Sequence, residues 1–309
     1  MYCSRSDKAI KLFSMSQLKV SIIIVNFNGG RLLIDCVGAA LQSSVQVEVL
    51  VSDNGSHDGS IELLEKEVRD DRLYIHRNSA NLGFSAANNR MIPRASGDFL
   101  LFLNPDCLIR PDTLEYMCRQ MDEHPEAGMS GCLILNSDGS EQAGCRRRVP
   151  TPWRTLVRVF HLGRLFPNHE KFEDIALSQQ PLPESPVNLE AISGAFMLVR
   201  RTALEQVGML DEDYFLHCED LDWCMRFRMK GWKILFVPNA DVVHEKGSCS
   251  KDRVVRVEWH KHKGMVRFYL KFFRHQYPLP LMLLVIGAIW SRFLAIVIVE
   301  NIKRLGFSK

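Results

Sequence analysis

Apolar runs with β-branched residues alternate with helical patterns through the first hundred residues, and this alternation constrains the fold more than any other feature of the chain. Residues 20–25 are a continuous apolar run, residues 32–41 have helical spacing, and residues 47–51 form a second run. This order predicts a strand, a helix and a strand. The pattern continues with a helix, a strand, a helix and a strand at residues 61–68, 73–76, 84–95 and 99–103. Because the strands are apolar on both faces, we predict an α/β fold with a mostly parallel sheet covered by helices on both sides.

Polar residues follow each of these four strands. They include Asn26, Asn28, Asp53, Asn54, Arg77, Asn78, Asn104 and Asp106. Pro105 cannot donate to a strand ladder, so it ends the fourth strand and leaves Asp106 at the rim. Ligands of open α/β sheets bind beyond the carboxyl ends of the strands, which predicts one crevice at this edge. Taken singly, such residues also suit turns and helix caps, as Asp53 and Asp58 show.

A second acidic cluster lies about a hundred residues further along the chain. Asp211, Glu212 and Asp213 precede an aromatic pair, and Glu219 and Asp220 open a predicted helix. Acidic side chains in a first helical turn are favoured by the helix dipole. The dipole does not explain why so many occur together, so we treat the cluster as a candidate site.

Composition limits the classes of partner and compartment. The net charge of +3 over 309 residues is too small for a surface that coats nucleic acid, and no nucleic-acid module is recognisable, so we predict no nucleic-acid partner. A basic insert with interleaved aromatic residues, within residues 145–188, is interpreted as an acceptor-site lid rather than an RNA-binding segment. The nine cysteines are odd in number and form no C-x-x-C pair, which is typical of reduced thiols in the cytosol. Residues 1–18, which lack an apolar signal segment, are predicted to be an unstructured leader.

Seven motifs in order carry a resemblance to a known family. They are SIIIVNFNGG, VSDNGSHDGS, NLGFSAANN, FLLFLNPD, SGAFMLVRR, LDEDYFLHCEDLDWCMRFRMKGW and VVHEKGSCS. Each motif is weak alone, but the ordered set, over roughly residues 20–250, resembles the family 2 glycosyltransferases and in particular the bacterial rhamnosyltransferase-like branch. The resemblance implies a GT-A fold over residues 19–250, with a nucleotide-sugar-binding half at 19–135 and an acceptor-binding half at 136–250.

The resemblance also implies roles for the residues at the strand ends. Asp53 would hydrogen-bond the nucleotide base, and Asp106 would be the metal-binding carboxylate of the D-x-D motif, whose first Asp is here Asn104. The remaining nucleotide-sugar-binding candidates are Asn26, Asn28, Asn54, Asn81 and Gly83. His244 is a candidate second metal ligand, or alternatively a strand-end histidine with a local hydrogen bond. The cofactor would be Mg²⁺ or Mn²⁺, and an imidazole ligand favours Mn²⁺.

The family's catalytic base corresponds to the Glu219-Asp220 pair, with Asp220 preferred and Glu219 as the alternative. The expected reaction is an inverting transfer of rhamnose from dTDP-rhamnose, in cell-surface polysaccharide synthesis, to an acceptor that is either a saccharide or a saccharide linked to a polyprenyl diphosphate. Arg200 and Arg201 either contact phosphate or are ordinary surface residues. Two other functions stay open: a sugar-phosphate nucleotidyltransferase, and a non-catalytic nucleotide-sugar-binding protein at the membrane.

Residues 251–309 are predicted to be a membrane-associating helical tail. Basic residues at 256, 260, 263, 267, 271 and 274 recur at helical spacing and predict an amphipathic helix on an anionic membrane surface. Residues 279–299 have the length of a bilayer crossing, and thirteen Leu, Ile, Val and Phe residues outweigh the cost of Arg292. The helix either spans the membrane, lies in its interface or packs on the domain. We prefer peripheral attachment at the cytoplasmic face of the membrane.

Overall fold

The computed structural model describes residues 18–159, 169, 175–178, 180–245 and 254–306. Its strands are β1 (Lys19–Asn26), β2 (Gln46–Asp53), β3 (Leu73–Arg77), β4 (Phe99–Leu103), β5 (Cys107–Leu108), β6 (Ala127–Leu135), β7 (Arg146–Arg147), β8 (Val187–Leu189), β9 (Ala191–Ile192), β10 (Phe196–Arg200) and β11 (Lys233–His244). Its helices are α1 (Gly30–Leu41), α2 (Ser60–Glu67), α3 (Phe84–Met91), α4 (Thr113–Glu123), α5 (Pro152–Val159), α6 (Arg201–Val207), α7 (Glu219–Met229), α8 (Val254–Phe272) and α9 (Leu279–Gly306). The predicted leader, apart from Leu18, lies outside the described residues.

The main sheet has the strand order β3-β2-β1-β4-β10-β6-β11-β5, and β8 also pairs with β11. Strands β3, β2, β1 and β4 are parallel, as the alternating pattern predicts. Beyond them the sheet is mixed, because β10 runs antiparallel to both β4 and β6. The predicted α/β fold of the GT-A type is confirmed. Parallel pairing dominates only in the first half of the sheet.

Helices cover both faces of the sheet, which explains why its central strands are apolar throughout. Buried residues of α1, α2 and α4 form one core layer, and those of α3, α6 and α7 belong to the other. In the second layer, the ring of Trp223 packs edge-on against Phe102 of β4 at 4.9 Å between centroids. The predicted helix at 84–95 is shorter than expected: α3 ends at Met91 and a 3₁₀ turn, Ile92–Arg94, follows. Pro93 causes this change, since it lacks the N–H of a regular helix.

The C-terminal helices share the second core layer. Phe268 and Tyr269 of α8 are fully buried, and Met282, Val285 and Ile289 form a buried stripe on α9. The opposite side of α9 is apolar but exposed, and we refer to it as the outer apolar face. It consists of Leu279, Leu283, Leu284, Leu294, Ile298, Val299 and Ile302. With a mean hydropathy of 2.4, the 25 residues Leu279–Lys303 are long and apolar enough to cross a bilayer.

Part of the predicted basic surface of α8 faces the protein rather than solvent. Arg267 lies 3.0 Å from a carboxylate oxygen of Asp211, and Lys271 lies 2.6 Å from Asp211 and 2.5 Å from Asp222. Asp222 is fully buried. The sequence periodicity detects these cations correctly, but they bind the acidic cluster before and within α7 instead of a membrane.

Candidate active site

The ends of β1 and β2 lie side by side and are locked together by Asn26. Asn26 pairs in register with Asp53 and is fully buried. Its Nδ2 donates to Asp53 Oδ1 at 2.9 Å and to the hydroxyls of Ser56 and Ser60 at 3.0 Å each. Asn26 therefore positions Asp53 and the loop after β2 from behind, since its amide group is used inside the protein.

Asp53 lies at the crevice edge in a fixed orientation. The Ser56 hydroxyl donates to Oδ1 at 2.6 Å and the Ser56 backbone N–H donates to Oδ2 at 3.1 Å. Asn28 has a left-handed backbone with φ of 57°, and its Oδ1 accepts from the N–H of His57 at 2.9 Å. The loops after β1 and β2 are thus joined, and Asp53 and Asn28 lie on this shared wall.

A second pair of loops links the end of β2 to the segment before α7. Asn54 donates to the carbonyl of Gly83 at 3.1 Å, and Asn81 accepts from the N–H of Gly83 at 2.9 Å. Gly83 has φ of 84°, and a Cβ there would lie 2.4 Å from the carbonyl oxygen of Phe215. A side chain at position 83 would therefore push the loop before α3 away from the segment before α7.

The predicted metal ligands meet at the ends of β4 and β11. Asp106 Oδ1 lies 3.0 Å from His244 Nε2, and both side chains are buried. The antiparallel pairing of β5 with β11 places His244 opposite Cys107. Asn104 Nδ2 lies 3.3 Å from the same His244 nitrogen. Asn104, Asp106 and His244 thus form one cluster although 138 residues separate the two ligands in sequence.

Gln142 orients the imidazole of His244. Gln142 Nε2 donates to the His244 carbonyl at 3.2 Å, so Oε1, at 2.7 Å, accepts the proton of His244 Nδ1. With the proton on Nδ1, the Nε2 lone pair accepts from Asn104 Nδ2 and also faces the Asp106 carboxylate, an arrangement of two acceptors that a cation would bridge. A second partner that fixes the tautomer in this way is typical of metal-binding histidines. The residues present therefore fit a divalent metal ion.

Cys107 completes a group of three side chains whose ligand atoms lie within 4.8 Å of one another. Its thiol donates to the carbonyl of Ala195 at 3.5 Å, and burial raises the pKa of Cys107 well above its usual value. Cys107 therefore stays a thiol, whereas Asp106 and His244 offer an oxygen and a nitrogen. That donor set suits Mn²⁺ as well as Mg²⁺.

Asp220 lies at the N-terminus of α7 with both carboxylate oxygens fixed. Oδ2 accepts from Arg147 Nη2 of β7 and from the N–H of Gly194 at 3.1 Å. Oδ1 accepts from the N–H of Leu221 at 2.7 Å. The guanidinium balances the charge of a carboxylate that is only 9% exposed. Asp220 is thus held as an oriented, charge-balanced acceptor.

Glu219 differs from its neighbour. Its Oε2 is buried and has no hydrogen-bond partner among the described residues. Burial and the charge of Asp220 raise the pKa of Glu219 well above its usual value, so this carboxyl group is protonated at neutral pH. The preceding His217 and Cys218 have left-handed backbones, with φ of 69° and 71°. Gly264 of α8 packs on them, since a Cβ there would lie 2.9 Å from the His217 carbonyl oxygen.

One backbone segment touches both acidic centres. The N–H of Gly194 donates to Asp220, and the carbonyl of the next residue, Ala195, accepts from the N–H of Asn104 at 3.0 Å. The segment Gly194–Ala195, which leads into β10, therefore lies between Asp220 and the cluster around Asp106. The structure brings both acidic centres to the same edge of the sheet.

Several contacts at this edge are absent from the sequence interpretation. Gln142 and Arg147 lie 102 and 73 residues from the side chains that they hold, and no local pattern marks either as a partner. Arg200 and Arg201, considered as phosphate ligands, instead donate to backbone carbonyls of Ala127 and Gly97. These carbonyls lie near the amino end of β4, away from the crevice, because Arg200 pairs with Phe99.

The buried Glu219 carboxyl predicts a pH-dependent stability. Since the pKa of Glu219 rises from 4.5 to about 8 in the folded chain, the folded state retains a proton that the unfolded state releases. The free energy of unfolding of the wild type is therefore expected to fall, relative to Glu219→Gln, as the pH rises from 4.5 to about 8. We expect the difference to exceed about 1 kcal/mol. Denaturant unfolding at pH 5, 6.5 and 8 measures it.

The exposed Glu205 provides the matched control, because Glu205→Gln removes the same group from a solvated position. Its difference from wild type is expected to stay constant with pH. A constant difference for Glu219→Gln as well would show that Glu219 is ionised in the folded chain.

Comparisons with known proteins agree with this geometry. Residues 21–208 match the family model described as Glycosyl transferase family 2. An N-acetylglucosaminyl-diphospho-decaprenol L-rhamnosyltransferase of Mycobacterium tuberculosis is 32% identical over 241 residues, which cover 74% of this chain and 76% of that protein. Rhamnosyltransferase WbbL of Escherichia coli K12 is 27% identical over 56% of this chain and 61% of its own length.

Solved structures show the same fold. The mannosyltransferase PcManGT from Pyrobaculum calidifontis, in complex with GDP-Man and Mn²⁺, superposes with a TM-score of 0.56 at 16% identity, over 94% of this chain and 81% of that one. GalNAc-T7 with UDP, GalNAc and Mn²⁺ gives a TM-score of 0.59 at 17% identity, over 82% of this chain and 48% of that chain. With its seven ordered motifs, its GT-A fold and a family match over residues 21–208, the chain belongs to glycosyltransferase family 2, in its rhamnosyltransferase-like branch.

Proposed function

We propose that this glycosyltransferase moves rhamnose from dTDP-rhamnose, with inversion, to a saccharide linked to a polyprenyl diphosphate during cell-surface polysaccharide synthesis. One observation carries the proposal: Asp220 and the cluster of Asp106 with His244 flank the same backbone segment at Gly194 and Ala195. An acceptor hydroxyl at one side and a donor diphosphate at the other would then meet across it. The Mycobacterium tuberculosis relative, named for a diphospho-decaprenol acceptor and for L-rhamnosyl transfer, supplies the choice of substrates.

The donor would lie along the wall built by the loops after β1, β2 and β4. Asp53, fixed by Ser56, would accept hydrogen bonds from the nucleotide base. Asp106 and His244 would hold Mg²⁺ or Mn²⁺, which would neutralise the negative charge that develops on the leaving diphosphate. Gln142 keeps the Nε2 lone pair of His244 directed at that position.

Asp220 would accept the proton of the acceptor hydroxyl. As the hydroxyl oxygen bonds to the anomeric carbon, the bond from that carbon to the diphosphate breaks, dTDP leaves, and the proton remains on Asp220. Attack from the side opposite the leaving group inverts the anomeric centre. Arg147 and the N–H of Gly194 keep the carboxylate oriented. Glu219 is the less accessible of the two, because its Oε2 is buried and has no hydrogen-bond partner among the described residues.

The acceptor would be reached at the cytoplasmic face of the membrane. The outer apolar face of α9 is exposed along most of the helix, which supports contact with the acyl region of a bilayer. Met282, Val285 and Ile289 on its other side are buried in the protein. A helix with one side in the core of the domain favours peripheral attachment over a free-standing membrane span.

A donor screen tests the proposal. The full chain would be incubated with an N-acetylglucosaminyl-diphospholipid and, separately, dTDP-rhamnose, UDP-GlcNAc or GDP-mannose, with and without Mn²⁺. Mass spectrometry is expected to detect a lipid product heavier by one deoxyhexose, and only with dTDP-rhamnose and Mn²⁺. Transfer of another sugar would contradict the donor assignment. Formation of a nucleotide sugar from a nucleoside triphosphate and a sugar phosphate would favour a nucleotidyltransferase, and binding without product would favour a non-catalytic protein.

A further inference from the structure

A cleft of about 510 Å³ opens between α5, α8 and α9, and we refer to it as the tail cleft. Arg147 and Leu221 both line it. Arg147 donates to Asp220, and Leu221 is the residue after Asp220. The wall of the tail cleft therefore begins at the side chain proposed as the base.

The polar side of the tail cleft is cationic. Its lining residues there are Arg147, Arg158, Lys261, His262 and Arg292. None of the cleft's lining residues is acidic. In the part of the chain that the structure describes, no carboxylate forms an ion pair with Arg292, although Lys261 lies 3.2 Å from Glu258. Arg292 is exposed, and together with the other cations of the lining it makes this side of the tail cleft attractive to an anionic ligand.

His262 gives an independent indication of a ligand. It is only 3% exposed, and its Nδ1 donates to the backbone carbonyl of Glu258 at 2.6 Å. Its Nε2 is buried and lacks a hydrogen-bond partner among the described residues. Buried polar atoms are nearly always paired, and with its proton on Nδ1 this imidazole accepts at Nε2, so a hydrogen-bond donor on a ligand in the cleft, such as a saccharide hydroxyl, would pair with it.

The other side of the tail cleft is apolar. Val285, Ala288 and Ile289 of α9 line it together with Met265 of α8. Spacings of three and four residues place Val285, Ala288, Ile289 and Arg292 on one side of α9. A single helix face thus changes from aliphatic to cationic within about two turns, which matches an amphiphile with an anionic head and a hydrocarbon chain.

We infer that the tail cleft binds the diphosphate and the first isoprene units of the lipid-linked acceptor. The diphosphate would contact Arg292, Lys261 and Arg147, and the isoprene units would lie against Met265 and Ala288. Because Arg147 also holds Asp220, the saccharide that extends from the diphosphate would reach the base directly. The inference rests on the proposed function for its choice of a lipid diphosphate over other anionic amphiphiles.

Binding of farnesyl diphosphate to the full chain in a neutral detergent tests the inference, with calorimetry as the measurement. EDTA is present, so a diphosphate held through a metal ion at Asp106 and His244 does not contribute. Arg292→Gln is expected to weaken binding about tenfold, because it removes a charge-assisted contact. Lys303→Gln, on the same helix and paired with Glu300, is expected to change it less than about twofold. Farnesol and inorganic diphosphate are each expected to bind wild type at least about tenfold more weakly than farnesyl diphosphate.

A second variant tests the apolar side without changing charge. Ala288→Phe fills space between α8 and α9, so it is expected to weaken farnesyl diphosphate while leaving the binding of inorganic diphosphate unchanged. Equal affinity of Arg292→Gln and wild type for farnesyl diphosphate would overturn the inference. Displacement of farnesyl diphosphate by an equal concentration of phosphatidylglycerol would also overturn it, because the site would then be one for phospholipid headgroups.

The two proposals fail separately. If no donor sugar is transferred but farnesyl diphosphate binding still depends on Arg292, the proposed function is wrong and the tail cleft remains a site for lipid diphosphates. If rhamnose is transferred and Arg292→Gln binds farnesyl diphosphate normally, the proposed function stands and the acceptor binds elsewhere.

Discussion

Asp220→Asn is expected to lower kcat for sugar transfer by about 10³-fold while leaving the affinity for the nucleotide-sugar donor within about twofold of wild type. The amide keeps the size of the carboxylate, but it cannot take the proton of the acceptor hydroxyl. In the proposed function the donor contacts the wall at Asp53 and the cluster at Asp106, which lie on the other side of the Gly194 segment. Single-turnover transfer assays and donor titration by calorimetry measure the two quantities.

Asp213→Asn is the control for this prediction. Asp213 precedes α7 in the same acidic stretch, but its side chain is 68% exposed and pairs with Arg267 at the surface. Its loss is expected to leave kcat within about twofold, as surface ion pairs contribute little. Transfer by Asp220→Asn at the wild-type rate would exclude Asp220 as the base.

Asp106→Asn is expected to abolish the stimulation of transfer by Mn²⁺, with a loss of about 10²-fold or more in kcat, and to weaken Mn²⁺ binding. The carboxylate and the His244 nitrogen are 3.0 Å apart, and removal of the negative charge leaves only the imidazole as a strong ligand. Mn²⁺ binding can be followed by electron paramagnetic resonance of the free ion, so the test does not depend on turnover.

Two further variants interpret that result. Gln142→Leu keeps both ligands but removes the partner that orients His244, so a loss of about tenfold in Mn²⁺ affinity is expected. Asp112→Asn, on the surface loop before α4 with a side chain 76% exposed, should bind Mn²⁺ as wild type does. Wild-type affinity in Asp106→Asn would show that the ion is bound elsewhere.

Much of the structure of residues 19–135 can be predicted from the sequence, because the patterns that indicate its strands and helices are local. The apolar runs at β1, β2 and β4 are buried strands, and the polar residues after them lie at one sheet edge, since parallel strands share the direction of their carboxyl ends. Pro93 shortens α3. The predicted helix at 84–95 follows the hydrophobic periodicity and does not take this proline into account. The resemblance of seven ordered motifs adds the pairing of Asp106 with His244, which periodicity alone does not provide.

The remainder of the site depends on long-range contacts. Arg147 lies in the insert interpreted only as a basic lid and Gln142 lies just before it, and the partners of both come from distant parts of the chain. The carboxylates that pair with Arg267 and Lys271 lie 49 to 60 residues away in sequence, so the charge pattern on α8 does not identify them as partners. Glu219 and Asp220 differ in their hydrogen-bond partners: Asp220 accepts from Arg147, whereas the buried Oε2 of Glu219 has no partner among the described residues. Two adjacent acidic residues in a sequence do not reveal this difference.

Because Gly264 of α8 packs closely against His217 and Cys218, α8 supports the turn that holds Asp220, the side chain proposed as the base. Two left-handed non-glycine residues in succession cost about 1–3 kcal/mol each and persist only where neighbouring structure holds them. A water-soluble variant truncated after β11 would lack α8 and release that turn. The Asp220 carboxylate would then lose its orientation, even toward a soluble acceptor. An engineered soluble enzyme should therefore retain α8 and the buried stripe of α9, and replace only the outward-facing leucines and isoleucines with polar residues.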